Sequence, residues 1–205
     1  MLEKKAAQAD HAIIPEIKNR WSPRAFADKE VEKEKLMRVL EAARWAASSM
    51  NEQPWRFIVA RKGDAHYDKL YEGLNKWNRK WTWTAPVLIA TLAKKRFTKN
   101  DSKNYHSWHD LGLAMGNLSA QATHEGLHLH QMAGIEAETV AENFEVDTEG
   151  YDVVTLFVLG YQDESRLEEL EERYHEAELK KRERKPLNEI VFGEVFGKNP
   201  EWLNL

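Results

Sequence analysis

Two short apolar runs, Pro86–Ala93 and Val153–Gly160, constrain the fold more than any other feature of the sequence. Each is strand-length and far short of the roughly 20 apolar residues of a membrane-spanning helix. Neither alternates apolar with polar, so each reads as a buried strand, Pro86–Ala93 as a central one covered on both faces. Helical segments are available to cover them. Val31–Ala46 sets Leu36, Val39, Leu40 and Ala43 on one face by their i, i+3, i+4, i+7 spacing. Glu32 and Glu34 stand in its first turn, where the helix dipole favours acidic groups. Asp64–Trp77 groups Tyr67, Leu70, Tyr71 and Leu74, and Ser107–Glu125 groups Leu111, Ala114, Met115, Leu118 and Ala122.

The Ser107–Glu125 helix also carries Gly112, Gly116, Ser119 and Ala120, small residues that let another backbone come close. It reads as a central or interface helix, with Gly126 as its C-cap. Ile14–Asn19 is a short helix, Trp55–Ala60 a strand, Leu127–Gln131 a short extended piece and Ala137–Asn143 a short helix. Glu164–Arg184 reads as a charged helix with a sparse stripe at Leu167, Leu170, Tyr174 and Leu179. The chain beyond is basic, then apolar from Ile190 to Phe196, and that apolar part needs cover from its own core or another subunit. Strands and helices alternate without clean βαβ units, so the class is α+β. No repeat or linker divides the 205 residues, which read as one domain, 1–205.

Lys and Arg number 30 against 34 Asp and Glu, a net charge of -4, which excludes a globally basic nucleic-acid binder. With Cys at 0, disulfides, Cys-ligated zinc, iron–sulfur clusters and thiol nucleophiles are excluded. The N-terminal stretch lacks the apolar core of a signal peptide, so a soluble, cytoplasmic protein is expected, without membrane or nucleic-acid partners. The 8 Trp residues are many for this length, and part of that indole surface is expected in a core, interface or ligand site.

GxSxG, GxxxxGK[ST] and GxGxxG signatures are absent, and no HExxH zinc signature is expected. Three loops carry the candidate chemistry. Arg20-Trp21-Ser22-Pro23-Arg24-Ala25-Phe26 puts Arg20, Ser22 and Arg24 on one side of an extended segment, a set suited to a phosphate or an electron-rich ring edge. Ser48-Ser49-Met50-Asn51-Glu52-Gln53-Pro54-Trp55 offers amide groups that pair with a flat heterocycle. Gln131-Met132-Ala133-Gly134-Ile135 offers small residues and exposed backbone. Taken singly, the first is also a solvated basic loop, the second an ordinary loop before a strand, and the third a plain turn. Trp77, Trp81 and Trp83 read as packing over a sheet edge rather than as a wall for an aromatic substrate. His124, His128 and His130, with His106 and His109 nearby, raise a metal site; surface or core histidines are the preferred reading, with no metal expected.

In order, the segments resemble the FMN-dependent nitroreductase family over nearly the whole chain. RxSxRxF at Arg20–Phe26 and SSxNxQPWxF at Ser48–Phe57 resemble its first two flavin motifs. His109–Leu127 resembles its dimer helix, His130–Gly134 its loop over the flavin ring, and Arg184–Phe192 its C-terminal arm. The resemblance implies a nitroreductase-like fold with a mixed central sheet flanked by helices and an arm reaching the partner subunit. It implies a homodimer with FMN between subunits. Arg20 and Ser22 would hold the phosphate and ribityl chain, with Arg184 completing the site, helped by Arg182 or Lys185. Arg24 would face N1/O2 of the ring, Asn51 its pyrimidine edge, and the backbone of Ala133 and Gly134 its N5/O4. Ser48 and Ser49 of the partner would line the same site, and Trp21 and Ala47 complete the cofactor-binding set. Ala47 stands where many members have Pro, which implies a less rigid loop. No side chain is expected to be catalytic, because flavin N5 carries the hydride. The implied activity takes hydride from NAD(P)H and passes electrons to nitroaromatic, quinone or similar acceptors by a ping-pong mechanism. The alternatives are a flavin-binding or flavin-delivering protein, and a specialised dehalogenase- or dehydrogenase-like member.

Overall fold

The computed structural model describes residues 5–203. The first apolar run becomes strand β2 (Val87–Lys94), buried along nearly its whole length. The second becomes strand β4 (Tyr151–Gly160), buried in its second half only. They pair with Val87 opposite Leu159 and Lys94 opposite Tyr151, across a bulge between Thr91 and Leu92. Strand β1 (Trp55–Arg61) joins β2 and strand β3 (His128–Met132) joins β4, giving the order β1-β2-β4-β3. The α+β class stands. All pairings among these strands are antiparallel, so the sheet is not mixed within the chain. The connections from β1 to β2 and from β3 to β4 return the chain to the end at which the earlier strand finished, whereas α5 carries it back to the start of β2, so that β3 runs parallel to β2 on the far side of β4.

The period of two splits β2 between two cores. Leu88, Ala90 and Leu92 face one, with Phe26, Leu70, Leu74, Trp81 and Val158. Val87, Ile89 and Ala93 face the other, with Val39, Trp55, Leu111, Leu118 and Phe157. Each fully buried Leu, Ile or Phe contributes about 1.5–3 kcal/mol of transfer free energy, and the buried Thr91 of β2 is accommodated because its hydroxyl pairs with Thr155 Oγ1 at 2.9 Å. Helices α2 (Lys33–Arg44) and α5 (Ser107–His124) supply the second core, and α1 (Pro15–Asn19) lies against α5. Helices α3 (Tyr67–Glu72), α4 (Lys76–Thr82) and α6 (Ala137–Asn143) cover the first.

Two helical expectations change. Asp64–Trp77 is not one helix: α3 stops at Gly73, whose Cβ would meet Val140 Cγ2 at 2.2 Å, and Asn75 then caps α4. Glu164–Arg184 is a 3₁₀ segment (Glu164–Glu169), a break at Leu170, and helix α7 (Glu172–Leu179), followed by an extended stretch. Leu167 and Leu170 both insert into the first core, and Leu170 takes an extended backbone conformation that ends the 3₁₀ segment. On α7 the buried residue is Glu178, whereas Leu179 is exposed. On α5 the predicted stripe is buried, and so is Ser119, while Gly112 and Gly116 face outward. Gly126 takes φ +72, with Leu127 N–H donating to Ala122 O (2.8 Å), the expected C-cap. Leu187, Ile190, Val195 and Phe196 lie exposed, so the chain's own core does not cover its apolar tail. Among the described residues no helix is long and apolar enough to cross a membrane.

Candidate functional site

The segment after α1 is pinned beside the end of β4. Ala27 N–H donates to Tyr161 O (2.8 Å) and Asp163 N–H to Ala25 O (3.1 Å). Trp21, Pro23, Ala25 and Phe26 are buried, which turns Arg20, Ser22 and Arg24 outward. Arg20 Nη1 donates to Ser22 Oγ at 3.3 Å. These three line a cavity of about 250 Å³ whose opposite wall is Arg182 and Arg184 from the extended stretch after α7. Burial, then the charge of Arg184, lowers the pKa of Arg20; burial, then Arg20 and Arg184, lowers that of Arg182. Cations held together against their repulsion form a receptor for an anion. Arg182 also braces the wall by donating to Lys5 O (2.8 Å) and Lys18 O (3.0 Å), whereas Lys185 pairs with Glu189.

Strand β3 forms the neighbouring wall. His130 Nδ1 lies 3.0 Å from Pro23 O, and its ring is 4.6 Å from that of Trp81. His128 meets Trp21 edge-on at 6.2 Å. Burial pushes both histidines down to about 4, helped by Arg20 at His128 and by Arg24 at His130. Trp21 Nε1 and His128 Nδ1 are buried with no hydrogen-bond partner among the described residues. Beyond β3, Ala133 is exposed. Gly134 O accepts from Asn75 N–H (3.3 Å) and Asn78 Nδ2 (2.8 Å), and a Cβ on Gly134 would stand 2.3 Å from Asn75 Nδ2. Within the chain, the group for which Gly134 makes room is thus the cap of α4. Trp81 is buried, while Trp77 and Trp83 lie exposed against Arg173 (4.4 Å) and Arg166 (5.2 Å).

The loop from Ala47 to Pro54 lies elsewhere. Ala47, Ser48, Ser49 and Asn51 line neither this cavity nor the larger one described next. The loop is clamped in spite of Ala47. Ser49 N–H donates to Asp110 Oδ2 (2.9 Å), Gln53 N–H to Ser48 Oγ (2.9 Å), and Glu52 takes Lys94 Nζ (2.9 Å) and Thr98 N–H (2.9 Å). Met50, Asn51 and Gln53 all have positive φ, a conformation that costs such residues on the order of 1 kcal/mol each and persists because the clamps impose it. Asn51 is left exposed.

A second cavity, about 730 Å³, runs along the outer face of α5 and shares Arg20 with the first. Its lining includes Gly112, Met115, Gly116, Gln131 and Thr155. A Cβ at Gly112 or Gly116 would meet nothing within 4 Å, so nothing within the chain explains these glycines. Together the cavities make a cleft, cationic at one end and largely apolar along the helix.

Asp110, Glu52 and Glu178 are not legible as site residues in the sequence, because each is a buried carboxylate with a partner distant in the chain, Ser49, Lys94 and Arg24 respectively. The expectation of no His-Glu-x-x-His signature is wrong, since His124–His128 spells one, which binds zinc when both histidines share a helical face. Here α5 ends at His124, Gly126 turns the chain, and His128 belongs to β3. His124 Nδ1 lies 3.0 Å from Glu16 Oε1, and Glu125 is held by Arg38 (2.7 Å). Among the described residues no group of three His, Asp or Glu has metal-binding geometry.

Known proteins share this fold. The Nitroreductase family model matches residues 17–76 and 65–161. A major NAD(P)H-flavin oxidoreductase of Aliivibrio fischeri is 26% identical over 74% of this chain and 88% of its own. The crystal structure of an oxidoreductase containing FMN superposes with a TM-score of 0.86 at 30% identity, covering 94% of this chain and 96% of that one. An FMN-dependent nitroreductase from Clostridium difficile R20291 superposes with a TM-score of 0.62 at 30% identity, over 74% and 88% of the two chains. The chain belongs to the nitroreductase family.

Proposed function

We propose that the chain is an NAD(P)H-dependent FMN oxidoreductase that holds the FMN phosphate between Arg20, Ser22 and Arg184, and that its acceptors are nitroaromatics, quinones or similar electron-poor compounds. The observation that carries the reading is the cationic cavity formed by Arg20, Ser22, Arg24, Arg182 and Arg184. The residues fit the group. A dianion relieves the mutual repulsion of the guanidiniums, and Trp21, whose buried Nε1 has no hydrogen-bond partner among the described residues, lines the same cavity. Family membership and the FMN-containing relatives support the cofactor and NAD(P)H as its reductant.

Bound FMN supplies the hydride and electron chemistry. The chain's own residues bind and orient. Arg20 and Ser22 fix the phosphate end; Arg24, 5.9 Å from the Trp81 ring and 5.8 Å from that of Tyr174, presents a fixed cation to the pyrimidine edge of the ring. Ala133 and Gly134 offer backbone toward N5/O4. Ala47, Ser48, Ser49 and Asn51, remote from Arg20 within one chain, serve the partner's site in a homodimer. The open Gly112 and Gly116 and the uncovered tail support that assembly.

The first test is the visible spectrum of the purified protein and the chromophore released on denaturation. FMN near one per chain is expected, with NAD(P)H-driven turnover of a quinone or nitroaromatic giving parallel double-reciprocal lines, the mark of ping-pong kinetics. Arg20→Ala should weaken FMN by about tenfold or more, a charge-assisted hydrogen bond being worth about 1.5–3 kcal/mol, while riboflavin affinity barely changes. Equal losses for both would refute the phosphate assignment.

A further inference from the structure

Glu178 lies outside the segment matched by the family and is the most deeply buried carboxylate among the described residues, its side chain 1% exposed. Its Oε1 accepts from Arg24 Nη1 at 3.2 Å. Its Oε2 has no hydrogen-bond partner among the described residues. Lys5, itself buried and bonded through Nζ to Lys180 O (2.6 Å), adds a second cation to its surroundings. Burying an acidic side chain is costly unless a charge compensates it, so a carboxylate here needs a reason beyond packing. The guanidinium does not depend on it for placement alone, because the Trp81 and Tyr174 rings flank it as well.

We propose that Glu178 is the counter-ion of Arg24 and sets how much positive charge reaches the pyrimidine edge of the flavin, and through it the ease of FMN reduction. The inference rests on the FMN reading above. A cation beside N1/O2 favours the reduced, anionic ring over the oxidised, neutral one. A carboxylate 3.2 Å from that cation, lining the same cavity, cancels part of its field. Glu178 is therefore a positioning residue acting through Arg24, and its effect on potential has a definite sign. Burial, opposed by Arg24 and Lys5, raises the pKa of Glu178, in keeping with an anion that is sustained only by those cations.

The test is the midpoint potential of bound FMN, measured by dye equilibration, in the holoprotein and in Glu178→Gln. The amide keeps the shape and the hydrogen bond from Arg24 but removes the charge. The variant should bind reduced FMN about tenfold more tightly relative to oxidised FMN, a rise of about 30 mV for a two-electron couple. Glu178→Asp, which draws the carboxylate back by one methylene, should rise less, and it carries the test alone if Glu178→Gln does not fold. In an Arg24→Gln background the buried carboxylate loses the guanidinium that opposes its protonation and becomes neutral, so Glu178→Gln should leave the potential where Arg24→Gln put it. An unchanged or lowered potential in Glu178→Gln, with Arg24→Gln still lowering it, overturns the counter-ion role and leaves the FMN reading standing. Failure of the wild-type protein to bind added FMN overturns both.

Discussion

Burial beside an arginine keeps a histidine neutral in the folded chain, and His128 and His130 both stand so. Each is pushed down to about 4 from an ordinary value near 6.5. Between these values the unfolded chain takes up a proton that the folded chain refuses. Stability is thus fully present above about pH 6.5 and falls as the pH drops toward 4. The loss at pH 5 is on the order of 2 kcal/mol for each ring. Urea unfolding at pH 8 and pH 5 should register it, and His130→Gln should flatten the difference by one ring's share. An unaltered pH difference in that variant would show that the ring is hydrated. At this scale much of the site is legible in sequence: Arg20, Ser22 and Arg24 share a side because an extended segment alternates, whatever surrounds it. Glu178 is not legible. A stripe drawn from hydropathy buries Leu179 and leaves Glu178 in water, since it has no knowledge of a guanidinium 154 residues away.

At the scale of elements, α4 depends on one cap. Asn75 Oδ1 accepts from Trp77 N–H (3.1 Å) and Asn78 N–H (2.9 Å), and Gly134 leaves room for that side chain. Gly134→Ala should displace Asn75 and cost about the worth of an N-cap, roughly 0.5–2 kcal/mol. Asn75→Ala should cost a similar amount, and the double variant little more than either, because both remove the same interaction. Additive losses in denaturant titrations would refute the coupling. The run Asp64–Trp77 reads as one helix because Tyr67, Leu70, Tyr71 and Leu74 keep a helical period. The break has a tertiary cause: Gly73 packs on Val140, and Leu74 bridges to Ile135.

For the whole molecule, the proposed homodimer would pack on the outer face of α5. Gly116 meets nothing within its own chain, so Gly116→Leu should leave the protomer folded, and by helix propensity slightly more stable, by up to about 1 kcal/mol. In a homodimer packed on this face the added side chain collides with the partner. Sedimentation should find the variant monomeric and depleted of FMN, and a dimer with full flavin would place the interface elsewhere. The sequence alone determined the strands, the covering face of each long helix, the α+β class and the positions of the motifs. All of these follow from local periodicity and backbone preference, which need only near neighbours. The antiparallel order of the sheet, the split of two predicted helices, the clamped loop around Asn51 and the pairing of Arg24 with Glu178 were decided by tertiary structure alone. Strand direction depends on the path of the chain between strands. The cost of burying a charge depends on which distant groups fold against it.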